Sequence, residues 1–97
     1  MTTFIVTANW TDQGLRAVKE APKRVQAARE AAKKFGIEWK QFFLTSGESD
    51  MVLIVEAENG DSVAKMALAI GVQGNVRTRI ARAWTESEMA KLISELP

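Results

Sequence analysis

The sequence predicts an α+β sandwich of order βαββαβ followed by a C-terminal helix. Two observations carry this. Runs rich in β-branched and aromatic residues alternate with runs whose apolar residues recur at helical spacing, and Gly, Asn and Thr punctuation separates them. All of this fits in 97 residues, enough for one domain over 1–97 and too few for two.

The elements follow in order. Thr3 to Trp10 packs well on a pleated surface and reads as the first strand. Thr11 to Ala21 reads as a structured loop with at most a helical turn, because Gly14 weakens a helix and Ala21 precedes a proline. Pro22 suits the first position of a helix that carries Val25, Ala28, Ala32 and Phe35 on one face and ends at Gly36. Ile37 to Thr45 is the second strand, Ser46 to Ser49 a turn, and Asp50 to Ala57 the third strand. Oxygens of Asn59 to Ser62 cap a helix bearing Val63, Met66, Ala67 and Ile70, which stops at Gly71. Asn75 to Trp84 is the fourth strand. Thr85 and Glu88 form a capping box before Met89, Leu92, Ile93 and Leu96. This order is that of the ferredoxin-like split βαβ sandwich, with strands arranged 4-1-3-2 in space.

Composition removes whole classes of function. Thirteen Lys+Arg against twelve Asp+Glu leave +1, so nothing draws the chain to nucleic acid or an anionic membrane. With no Cys, His or Tyr there is no disulfide, thiol nucleophile, His base or Cys/His zinc site, and none of the His, Tyr or Cys axial ligands that haem ordinarily takes. No metal and no cofactor is expected. No apolar run approaches a membrane span, and Met1 to Val6 starts as a strand without a basic leader, so a cytoplasmic location is the default.

The strand faces point to self-association. A sheet with one wet face should alternate apolar and polar. Here Met51, Leu53 and Val55 oppose Val52 and Ile54; Phe4 and Val6 oppose Ile5; Trp39 and Phe43 are expected on one face, Phe42 and Leu44 on the other. Two apolar faces call for a second copy packed sheet to sheet, as homodimer or higher homo-oligomer, or for the terminal helix folded over the second face.

Chemistry is thin. Asp12, Glu48, Asp50 and Glu56 lack a partner carboxylate at a diagnostic spacing and read as structural ion-pair residues. Gly71 to Gly74 follows a helix and precedes a strand, the reverse of a phosphate-cradling loop. The basic residues of the first long helix read as a solvated face, and Trp10, Trp39 and Trp84 as core filling or a pocket wall. Arg77 and Arg79 share a face of the fourth strand, with Thr78 and Arg82 on the other, and Arg77 is expected near Asn9. Arg77, Asn9 and Gln41 would then present donors for a carboxylate or phosphate, or the arginines simply guard an edge strand.

Four separated blocks resemble the GYD family: Asn9 to Gly14, Pro22 to Arg24, Gly47 to Asp50, and Gly74 to Thr78. Ser49 stands where the tyrosine of the family's Gly-x-Tyr-Asp stretch would be. The resemblance implies a ferredoxin-like fold related to dimeric α+β barrels, and no established activity.

Three readings follow. In the first the chain is a non-catalytic, self-associating module holding a small anionic or aromatic ligand. Arg77 would pair with its charge, Asn9 and Thr78 would orient it, Trp10 would supply a wall, and Asp12 would fix the adjoining loop. In the second it is a cofactor-independent mono-oxygenase-like oxidoreductase with an inter-sheet cavity lined by Trp39, Phe43 and Arg79. In the third it is a structural assembly subunit with no cavity.

Overall fold

The computed structural model describes all 97 residues. Strand β1 (Thr2–Trp10) leads into a short helix α1 (Asp12–Arg16) and a 3-10 turn (Val18–Glu20). Then come α2 (Ala21–Lys34), β2 (Glu38–Leu44), β3 (Met51–Ala57), α3 (Gly60–Gly71), β4 (Val76–Ala83) and α4 (Glu86–Ser94). The four strands form one antiparallel sheet in the order β2-β3-β1-β4, as expected.

The stretch expected as a loop is largely helical. Thr11 caps α1 by accepting from the Gly14 N–H, which offsets the weak helix propensity of the glycine. Helix α2 starts at Ala21, one residue before Pro22, and its last turn closes on Gly36, whose φ of +75° ends the helix in the left-handed region. Asn59 caps α3, and Thr85 and Glu88 form the capping box of α4.

Helices α2 and α3 cover one face of the sheet. Phe4 and Val6 of β1, Leu53, Val55 and Ala57 of β3, Ala32, Val63 and Met66 of the helices, and Ile37 form a continuous core. The alternation in β3 is complete, with Met51, Leu53, Val55 and Ala57 buried and the residues between them half-buried.

Strand β2 departs from the expected parity. Trp39 lies opposite Val55 and Gln41 opposite Ile54, which leaves Lys40 as an extra residue in the ladder. This bulge shifts the faces by one. Trp39 therefore joins Phe42 and Leu44 on the helix side, and its ring stacks on Phe42 at 6.0 Å and 4°. Phe43 and Gln41 turn to the other face.

That second face is uncovered. Its cross-strand rows read Gln41–Ile54–Ile5–Ala81 and Phe43–Val52–Thr7–Arg79. Helix α4 does not fold over it: every α4 residue but Glu88 is exposed. The radius of gyration, 14.7 Å, exceeds the ~12.5 Å of a compact domain this long, as a helix standing off the body requires.

Candidate functional site

At the C-terminal end of β1 four segments are knitted together by hydrogen bonds. The Thr11 hydroxyl accepts from the Gly14 N–H and donates to the Gly74 carbonyl at 2.6 Å, while the Thr11 N–H donates to the Asn75 carbonyl at 3.0 Å. The Gln13 amide donates to the Gln73 carbonyl and to Asn75 Oδ1, both at 3.0 Å. From α2, Arg24 donates to the carbonyls of Ala17 and Gly14, closing the C-terminal end of α1. From the residue just before β3, the Asp50 carboxylate accepts the Trp10 N–H at 3.0 Å, and the Asp50 N–H donates to Asn9 Oδ1 at 2.7 Å. Asp50 is thus an anchor between strands.

Beside this junction, α2 and α3 part over the sheet and leave a cleft of about 310 Å³. It opens because the helices present small side chains there, among them Ala28 and Ala31 of α2 and Ala69 of α3. The floor is Ala8, Trp10 and Met51 from the strands, with Trp39 and Phe42 toward the β2 edge. Thr78, Asn75, Gln73 and Arg24 are the polar residues of its lining. The Trp39 indole N–H is buried and has no acceptor, and such a group carries a desolvation cost until something accepts from it. Arg29 lies over the same ring at 5.2 Å.

The five residues expected to share a site are divided by the sheet. Trp10 and Thr78 line the cleft on the helix side. Asn9 and Arg77 pair with each other on the uncovered face, where Asn9 also spends its oxygen on Asp50. Strand alternation makes this unavoidable, since neighbouring residues point to opposite faces. Asp12 is exposed in the first turn of α1, and Thr11, not Asp12, fixes that segment. The cavity of the oxidoreductase reading is divided too: the bulge sends Trp39 to the helix face while Phe43 and Arg79 stay on the other. Arg24 belongs to the Pro22–Arg24 block, but its place in a basic helix gives no sign that it reaches back to α1.

Comparison with known proteins matches residues 4–93 to the GYD domain. The chain belongs to the GYD family. A Thermus thermophilus protein named glutamine synthetase and cystathionine beta-lyase binding protein is 32% identical over 84 residues, covering 86% of this chain and 88% of that one. Among solved structures, the feast or famine regulatory protein of M. tuberculosis complexed with L-methionine superposes with a TM-score of 0.65 at 20% identity over 88% of this chain. A solved chain from Thermus thermophilus gives 0.55 at 20% identity, covering 88% of this chain and 95% of its own. This GYD chain spans about half of the M. tuberculosis regulator, 51% of its length, and at such identity the likeness establishes the ferredoxin-like fold alone. In this member the four blocks that carry the family resemblance are the segments that meet around Asn9 to Gly14. Ser49, at the position of the naming tyrosine, sits half-buried in the β2–β3 turn, where its carbonyl accepts from the Thr45 hydroxyl.

Proposed function

We propose that the protein is a non-catalytic, self-associating module that holds a small aromatic or anionic ligand in the α2–α3 cleft. The cleft carries this reading. Its volume, about 310 Å³, stands at the lower end of ligand pockets, roughly 300–1,000 Å³, and its lining is mostly apolar with a few convergent polar groups. Trp10 and Phe42 provide flat walls, Thr78 an orienting hydroxyl, and the Trp39 N–H a donor in want of an acceptor. The Arg24 guanidinium spends two of its N–H groups on backbone carbonyls and keeps others for a carboxylate. Self-association rests on the uncovered apolar sheet face.

Phenylacetate and toluene, an aromatic anion and its neutral relative, test the site by ¹⁵N-detected titration. The expected result is saturable shifts at the Trp10 and Trp39 indole N–H signals, tighter for the anion, and their loss in Ala28→Leu, which fills the cleft from α2. Shifts confined to the uncovered face, or none for either probe, would end the reading.

The name of the Thermus relative favours a second reading, a module that docks on enzymes. Co-sedimentation with purified glutamine synthetase tests it, and independent migration at micromolar concentrations rejects it.

A further inference from the structure

A second space adjoins the α2–α3 cleft. At the C-terminal end of α2 a groove of about 480 Å³ lies between the helix and the start of β2, with Arg29, Lys33, Glu38 and Trp39 in its lining. Trp39 is the one residue that lines both spaces, so its ring stands between them.

The two spaces differ in chemistry. The cleft presents aliphatic surface from small and flexible side chains, among them Ala28, Ala31, Met51 and Met66, and methionine adapts its shape to what it packs against. The groove is cationic, and its cations are lightly committed. Arg29 donates through one nitrogen to Gln26 Oε1 at 2.8 Å and keeps most of its N–H groups free. Lys33 meets Glu30 at 3.3 Å in a solvent-exposed pair, a kind that contributes little and exchanges readily. The carboxylate in the groove, Glu38, is held by Lys40 at 3.2 Å. Lys33 and Lys34 in the last turn of α2 offset the partial negative charge of the helix end. Arg24, at the far side of the cleft, already serves the Ala17 and Gly14 carbonyls, which makes Arg29 and Lys33 the freer anchors.

Trp39 is held at the boundary by side-chain contacts alone. Its ring stacks on Phe42 at 6.0 Å and carries Arg29 at 5.2 Å, while its buried N–H has no acceptor. A ring that turns gives up part of those contacts and gains a partner for the N–H, in water or in a ligand oxygen. The bulge at Lys40, next along the strand, interrupts the regular pairing of β2 there.

We propose that the two spaces form one site for a medium-chain alkyl carboxylate, with Trp39 as the movable partition between them. The alkyl chain lies in the cleft, and the carboxylate meets Arg29 and Lys33. This rests on the cleft reading and names its ligand class. A short aromatic anion occupies one space or the other, whereas an alkyl chain reaches from the apolar space to the charged one.

Decanoate, decanol and phenylacetate test this by calorimetry, with the Trp39 indole N–H signal as the local probe. In the parent chain decanoate should bind about 10-fold tighter than either of the others, the gain expected of charge-assisted hydrogen bonds, and should move the Trp39 signal. Arg29→Gln with Lys33→Gln keeps good helix formers at both positions, and circular dichroism should confirm the fold. That variant should bind decanoate no tighter than decanol. Decanoate no tighter than the other two in the parent, or an undiminished advantage in the variant, would overturn the joined site, and phenylacetate binding would then leave the cleft reading standing. No binding of any of the three would overturn both.

Discussion

Gly14 shows how one missing side chain organises the site. A Cβ there would lie 2.0 Å from the Asn75 carbonyl oxygen, so α1 can seat on the α3–β4 loop only because position 14 is bare. The obstacle is backbone and cannot swing away. Gly14→Ala should therefore cost about 2 kcal/mol, or more if the loop cannot shift, and lower Tm by ~10 °C in a domain this small. Thermal unfolding followed by circular dichroism measures it, and an unchanged Tm would show that the junction yields. Gly74 serves the same contact differently: its φ of +81° lets the loop turn beneath Gln13. In the sequence Gly14 reads as a helix breaker. Its real constraint is the approach of a chain segment some sixty residues away, which no local pattern encodes.

Among the elements, α4 is the one whose stability depends on its cap more than on packing. The Thr85 hydroxyl accepts from the Glu88 N–H and the Glu88 carboxylate accepts from the Thr85 N–H at 2.8 Å. That backbone N–H holds the Glu88 carboxyl below its ordinary value of 4.5, with the Thr85 hydroxyl and the Arg82 charge assisting against partial desolvation. A lowered carboxyl pKa stabilises the fold above the ordinary value and stops doing so as pH falls through the lowered one. Helix α4 should thus fray on acidification below about pH 4.5, before the sheet melts, as read by Cα chemical shifts of residues 86–94. Glu88→Gln, which keeps the acceptor without the charge, should abolish the pH dependence. Thr85→Ala should cost ~1 kcal/mol of helix stability at any pH. The capping box is legible from Thr85 and Glu88 alone because its partners lie three residues apart. The bulge at Lys40 is not: it depends on how β2 pairs with β3, and it reverses the face expected for Trp39.

For the whole molecule, the consequence of a sheet apolar on both faces is a concentration-dependent stability. If two copies share the uncovered face, Tm should rise with protein concentration, and Ile54→Lys, at the centre of that face, should yield a folded monomer whose Tm no longer does. A parent Tm constant from micromolar to millimolar would contradict the pairing. The order of elements, the strand arrangement and the two-faced character of β1 and β3 are all legible along the chain, because hydrophobic period and caps are written in neighbouring residues. Folding in three dimensions was needed to separate Trp10 and Thr78, which line a cleft, from Asn9 and Arg77, which face away from it. It was needed also to set α4 clear of the sheet. Those outcomes rest on strand register and on small side chains facing each other across α2 and α3, which are relations between segments far apart in the chain.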